Sequence, residues 1–315
     1  MNAVHNGSTV FHVSGRKFFD PRVWKAFERK ENISIPAFAD GVGVTLEKFQ
    51  ALQKVPMEQL ADWAEIGAGT RVGSVGGGWG YEEVVFFNRG AHVSILDIDE
   101  YGVLRPLAEK GYVDMESRAG AADSDRAVDL MIQDFSQVAV PTKFDVLYVS
   151  SLTPNDLRLG NMVRFRGRTA FNALLNRSAQ LAGMLLGRRW RFFPPWEEPI
   201  LPSLVSFAAN ALSPGGRLLI KFYACPPVTR SRWYIPSLKR QLARHDFALV
   251  SVIRNEAVHQ RHALLAVKLG SPEADAMVDR LGKRRNVVSN LSVRDAKPHE
   301  VREIYSAQNS DKRSA

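Results

Sequence analysis

RVGSVGGGWGYEE, residues 71 to 83, decides how this chain is read. A short strand-like run, Arg71 to Val75, ends in glycines at 76, 77, 78 and 80, and a helix-forming stretch headed by Glu82 and Glu83 follows at once. Strand, glycine turn and helix together bring bare backbone up against a ligand, because glycine has no Cβ to hold the ligand away. Sites for dinucleotides, phosphates and other adenosine ligands share that pattern, and spacing separates them. A dinucleotide fingerprint begun at Gly76 and Gly78 requires glycine where Tyr81 stands, and one begun at Gly78 and Gly80 requires it at Glu83. A phosphate loop requires Gly-Lys followed by Ser or Thr, and no lysine lies between Arg71 and Arg89. Glu82 and Glu83 add an electrostatic objection, since carboxylates in the first turn of the helix repel a pyrophosphate at that position. The loop suits a ligand without phosphates, such as an adenosine carrying a positively charged sulfur.

Outward from the loop the chain alternates. AHVSILD, VDLMIQD and FDVLYVSS read as strands; YEEVVFFNRG, ending at Gly90, and EYGVLRPLAEKG, stopped by Gly111, read as helices. SLVSFAANALSPGGRLLIKFYA reads as a helix, a Pro-Gly-Gly turn and a strand. Strands apolar throughout and separated by helices are buried on both faces, which implies a doubly wound α/β fold with a mostly parallel sheet. Helix PSLKRQLARHD and strands ALVSVIRNE and HALLAVKLG finish the sheet, the last two as an antiparallel pair. Upstream, PRVWKAFERK is helix-like; Leu46, Phe49 and Leu52 have helical spacing; and Pro56 opens a further helix carrying Met57, Leu60, Ala61 and Ala64, stopped by Gly67 and Gly69. The connection between FDVLYVSS and LSPGGRLLIKFY is too long for one crossover. Its surplus, about residues 155–199, lies over the usual ligand crevice and is a candidate lid, or a helix packed on the domain, or an element at a membrane surface. The expected organisation is a helical N-terminal extension over 1–66, an α/β domain over 67–270, and a C-terminal extension over 271–315 with a mobile tail from about Lys297.

Composition bounds the remaining choices. Hydrophobic residues make up 45% of the 315 and charged residues 24%, as in a folded globular protein. No apolar run is long enough to span a membrane and no secretory leader is evident, so the expected location is cytoplasmic. The single cysteine, Cys225, excludes an internal disulfide framework, and the histidines His12, His245, His259 and His262 show no metal-ligand spacing. The net charge of +9 raises a nucleic-acid reading, with the excess in RFRGR (164 to 168), GRRWR (187 to 191), TRSRW (229 to 233), SLKRQLAR (237 to 244) and GKRR (282 to 285). A solvated basic face or attraction to a small acidic substrate accounts for the same charge and is preferred over RNA.

With G-x-G-x-G at Gly76, Gly78 and Gly80, the stretch resembles the first motif of class I S-adenosylmethionine-dependent methyltransferases, and the resemblance runs from about Arg71 to Ala224. It implies a Rossmann-like methyltransferase fold with an insertion before the fifth strand, and S-adenosylmethionine as cofactor. It further implies that Asp97, ending the second strand of the unit, holds both ribose hydroxyls, with Asp99 a competitor better placed to cap the next helix. Asp134 would accept from the adenine amine and Phe135 cover the ring. Ser74 stands where the family usually has an acid, which would reshape contact with the methionine amine, and Trp79 would cover the cofactor or pack on the first helix.

Methyl transfer from a sulfonium is an in-line displacement that needs approach geometry more than acid-base groups, so no fixed catalytic pattern is expected. Ser151 and Asp156 are the candidate catalytic residues, with Asp156 as base, and Asn155, Tyr223, Trp190 and Trp196 are placed near substrate. SSLTPND lacks the Asp/Asn-Pro-Pro-aromatic motif of DNA amino-methylating enzymes. Lys221 fits the lysine of ribose-methylating RNA enzymes, but their aspartate and glutamate are not matched, and Lys221 reads as a strand-end lysine reaching solvent. The expected function is methylation of a small molecule. The alternatives are transfer of the aminocarboxypropyl arm, on a faint similarity to nicotianamine-synthase-like enzymes carried by DID and VLYVSSL; RNA methylation; and non-catalytic RNA binding.

Overall fold

The computed structural model describes residues 3–5, 8–33, 46–99, 102–115, 126–135, 143–149, 200–222, 240–254 and 262–283. In chain order these form β1 (Ala3–His5), β2 (Ser8–Ser14), α1 (Gly15–Phe18), α2 (Pro21–Glu31), α3 (Leu46–Trp63), β3 (Arg71–Val75), α4 (Glu83–Asn88) and β4 (His92–Asp97). There follow α5 (Leu104–Glu109), β5 (Ala127–Ile132), β6 (Phe144–Val149), α6 (Ile200–Ala211), β7 (Leu212–Phe222), β8 (Phe247–Arg254), β9 (His262–Lys268) and α7 (Pro272–Lys283).

One sheet carries the whole arrangement, in the order β1-β2-β5-β4-β3-β6-β7-β9-β8. The five central strands, β5 to β7 in that order, are mutually parallel. β9 runs antiparallel to both β7 and β8, as the sequence predicts for its last two strands. From β3 the chain winds outward to β4 and β5, then returns to place β6 on the other side of β3. The carboxyl ends of β3 and β6 therefore flank the switch point, where doubly wound sheets open a crevice.

Side chains alternate across the strands and divide the core into two layers. One face carries Val72, Ile95, Leu130, Tyr148 and Leu219 against Trp24, Met57, Leu60, Phe86 and Leu107 of the helices, with Ala274 and Leu281 of α7. The other carries Val75, Leu96, Leu147, Val149 and Ile220 against Leu204, Val205 and Ala208 of α6.

Three features differ from the sequence reading. The N-terminal segment is more than helical: β2 pairs antiparallel with β5, and β1 with β2, so both extend the sheet. Phe18, Trp24 and Phe27 are buried in the same core layer as the central strands, and Trp24 Nε1 donates to the Phe18 carbonyl at 2.7 Å. Pro56 does not open a new helix. It lies inside α3, which continues through it; the missing backbone donor is offset by burial of Met57, Leu60 and Ala61 just beyond it. Nor does Pro-Gly-Gly end the helix-to-strand connection as a free turn. β7 is continuous over Leu212–Phe222, and Phe144↔Leu212 and Val146↔Arg217 show five residues of β7 advancing where β6 advances two, a bulge built around Pro214 and Gly215.

Buried Arg217 follows that bulge. Its Nη1 donates to the carbonyls of Ala64 at 2.6 Å and Glu65 at 3.1 Å, fastening the end of α3 to the sheet. α7 packs on the same layer, so the segment after Ser271 begins as a core element. Residues 240–244, from the expected helix PSLKRQLARHD, are helical. Among the described residues no helix is long and apolar enough to cross a membrane.

Candidate functional site

Three loops meet above the carboxyl ends of β3, β4 and β5. The first is the glycine loop, in which Gly76, Gly78 and Gly80 have φ of 71°, 51° and 69°. Gly76 N donates to the Leu96 carbonyl at 2.8 Å, which carries the loop over toward β4. There Asp97 receives it: Oδ2 accepts from Gly78 N at 2.9 Å and Oδ1 from Asp99 N at 2.7 Å. The Asp97 carbonyl in turn accepts from Gln133 N at 2.9 Å, tying the loop after β5 to the end of β4. Gly76, Gly78, Asp97 and the Asp134–Phe135 loop are thus assembled in one place. Asp134 and Phe135 are half-buried, and the Phe135 ring lies 5.5 Å from that of Phe207 on α6.

Asp99 takes the role its position implies. With φ of 51°, it accepts from the backbone of Val103 at 2.8 Å, Leu104 at 3.0 Å and Arg105 at 3.1 Å, capping α5. That leaves Asp97 as the acid facing the glycine loop. Between them Ile98 is 56% exposed, one of few large apolar side chains open to solvent among the described residues. Sequence reasoning missed it, although an aliphatic residue set between two turn-forming acids is a detectable signal.

The loop rests on aromatic side chains. Trp79 is buried in the main core layer. A Cβ at Gly80 would lie 2.6 Å from the Phe19 ring and 2.7 Å from the Phe18 ring. Gly80→Ala, which combines this overlap with left-handed φ, should lower stability by about 2–5 kcal/mol in urea unfolding. An unchanged midpoint would mean that the loop does not sit on α1.

Beneath the loop lies a buried polar cluster that sequence reasoning did not assemble. Glu82 and Glu83 are buried, and Lys221 is 3% exposed, so it does not reach solvent as the sequence reading expects. Ser74, Tyr148 and Lys221 project from β3, β6 and β7 onto the same face of the sheet, because Ser74↔Tyr148 and Tyr148↔Leu219 are in register and Lys221 is two residues beyond Leu219. Lys221 Nζ pairs with Glu82 Oε1 and donates to Gln53 Oε1 at 2.8 Å, while Tyr148 OH donates to Glu82 Oε2 at 2.5 Å. Burial first, then the Glu82 and Glu83 charges, hold the Tyr148 hydroxyl well above its ordinary range.

Ser74 is fully buried, and its Oγ donates to Glu83 Oε1 at 2.6 Å. The hydroxyl expected near a methionine amine is therefore engaged with the acid nine residues on. Burial, with the neighbouring Glu82 charge as second cause, pushes the Glu83 carboxyl up to about 7, while the Ser74 bond pulls the other way. Ser151, Asn155, Asp156, Trp190, Trp196, Tyr223 and Cys225, the candidate lid over about 155–199, and most of the basic clusters lie outside the described residues.

A switch point between β3 and β6, a glycine loop after β3 and an acid at the end of β4 define the class: a doubly wound, Rossmann-like α/β domain. No family model and no curated protein matches the chain. Solved structures do. A SAM-dependent methyltransferase from Aquifex aeolicus is 12% identical over 79% of this chain and 99% of its own, with a TM-score of 0.43. The magnesium protoporphyrin IX methyltransferase of Synechocystis PCC 6803 with bound SAM is 16% identical over 70% of this chain and 79% of its own, TM-score 0.37. The glycopeptide N-methyltransferase MtfA in complex with sinefungin is 15% identical over 68% of this chain and 92% of its own, TM-score 0.42.

Proposed function

We propose that this chain is an S-adenosylmethionine-dependent methyltransferase acting on a small molecule. The observation that carries the reading is Asp97, whose carboxylate spans from Gly78 N to Asp99 N at the carboxyl end of β4. A carboxylate at that place can accept from both hydroxyls of a ribose at once. The residues present fit an adenosine ligand. Positive φ at Gly78 keeps that backbone bare, and a Cβ there would lie 3.9 Å from Asp97 Oδ2, in the space between loop and acid.

When bound, S-adenosylmethionine supplies an activated methyl group. The chain's part is to hold it and to shape the approach. Asp97 anchors the ribose, exposed Ile98 offers an apolar surface to the base, Asp134 accepts from the exocyclic amine, and Phe135 flanks the ring. Asp156 is the base that takes the acceptor's proton where the acceptor is a hydroxyl, with Ser151 as the second catalytic residue. Asn155, Tyr223, Trp190 and Trp196 contact the substrate.

Calorimetric titration with S-adenosylmethionine tests the reading. Asp97→Ala should weaken binding roughly a hundredfold or more, since hydrogen bonds to a charged group contribute about 1.5–3 kcal/mol each. Chromatography of the spent nucleoside after incubation with candidate acceptors should show S-adenosylhomocysteine; methylthioadenosine would replace methyl transfer by aminocarboxypropyl transfer. Equal affinity in the variant, or a preference for NADH, overturns the proposal.

A further inference from the structure

We infer that Glu82 is a positioning residue: its carboxylate fastens the exit of the glycine loop to β6 and β7, and so holds the loop in the shape that an adenosyl ligand meets. The inference rests on the reading above and adds to it a residue that acts on the ligand through the loop's backbone.

Glu82 stands immediately before α4, where a side chain ordinarily caps the helix, yet its carboxylate makes no capping bond there. It is buried and turned to the sheet instead, where Oε1 pairs with Lys221 Nζ and Oε2 accepts from Tyr148 OH at 2.5 Å. Tyr148 and Lys221 each lie one residue short of the carboxyl ends of β6 and β7. The entry and middle of the loop are held from the opposite side of the switch point: Gly76 N donates to the Leu96 carbonyl and Gly78 N to Asp97 Oδ2, both on β4. The loop is therefore tied to β4 at its start and to β6 and β7 at its exit, and it bridges the switch point. Between those ties its own backbone is compliant, because Gly76, Gly78 and Gly80 have positive φ and Gly77 is also glycine. Releasing the exit returns freedom to the loop, and a ligand must then order it on binding. Packing of Trp79 in the core and of Gly80 beside the Phe18 and Phe19 rings is untouched by the substitutions below, so they isolate the polar ties.

The quadruple variant Gln53→Leu, Glu82→Leu, Tyr148→Phe, Lys221→Met replaces the linked side chains by apolar ones of similar size, an exchange that is commonly neutral or stabilising for buried ion pairs. Its urea midpoint should match or exceed that of wild type. Calorimetry of the full chain should nevertheless show S-adenosylmethionine and S-adenosylhomocysteine each bound about tenfold more weakly, as for the ordering of roughly one residue. Without ligand, amide exchange at Gly76 and Gly78 should be about tenfold faster, with exchange in the middle of β3 and β6 unchanged. A purely structural cluster moves neither readout once stability is kept, so wild-type affinity and wild-type exchange in the quadruple variant overturn the inference. Should that variant be destabilised or fail to fold, Tyr148→Phe decides, since it removes one tie and leaves the ion pair. About threefold weaker binding is then expected, and unchanged binding overturns the inference. Exchange is read without ligand: a wild type that binds neither adenosyl compound ends the proposed function, while Gly76 and Gly78 still decide whether Glu82 fastens the loop.

Discussion

Lys221→Met should lower the unfolding free energy by about 3–5 kcal/mol, the usual consequence of removing one partner of a buried ion pair. Lys221 and Glu82 are 3% and 1% exposed at their side chains, so water cannot replace the lost ammonium. Methionine matches the lysine stem in length and would lie beside Met57, whose sulfur is 3.5 Å from Lys221 Nζ, so little of the loss can come from packing. The deficit should come from a carboxylate left with the Tyr148 hydroxyl and no cation. Lys221→Met combined with Glu82→Gln should therefore recover more than half of it, a coupling that urea unfolding of the two single variants and the double variant measures. A loss below about 1 kcal/mol would place Lys221 at the surface, as its position at a strand end suggests from sequence.

Glu83→Gln should have the opposite sign, and only in part of the pH range. The folded carboxyl titrates at about 7 against an ordinary 4.5. A raised acid contributes its stability fully below the unfolded value and loses it as pH rises through the folded one. Wild type and variant should be equally stable below about pH 4.5, diverge between there and pH 7, and differ above pH 7 by about 3 kcal/mol in favour of glutamine. Glutamine keeps the shape and can still accept at Oε1 from Ser74 Oγ, so the effect isolates the charge. Because the group is fully buried, solvent screening does not reduce the figure. Thermal unfolding across that range checks it; parallel curves would mean that Glu83 is ionised without cost.

Much of the parallel core was legible from local pattern. Apolar runs such as VDLMIQD and FDVLYVSS became β5 and β6 because a strand buried on both faces has no polar positions to spare. Gly76, Gly78 and Asp97 were legible because left-handed φ and an acid at a strand end leave a mark on residue type itself. The errors arose where a short-range rule met a long-range contact. Pro56 breaks helices, but burial of Met57 and Leu60 carries α3 through it. Pro-Gly-Gly turns chains, but pairing with β6 absorbs it as a bulge in β7.

By itself, then, the sequence determined the alternation of strands and helices, the glycine loop that ends one strand and the acid that ends the next, since each depends on residues within a few positions of its own strand end. Only the tertiary structure decided that β1 and β2 widen the sheet and that Phe18 and Phe19 support Gly80. It alone joined Glu82 to Lys221, 139 residues apart. Whether a charged side chain faces water or a counter-charge depends on which strands become neighbours, and strand order is settled by packing of the whole sheet, not by any stretch of it.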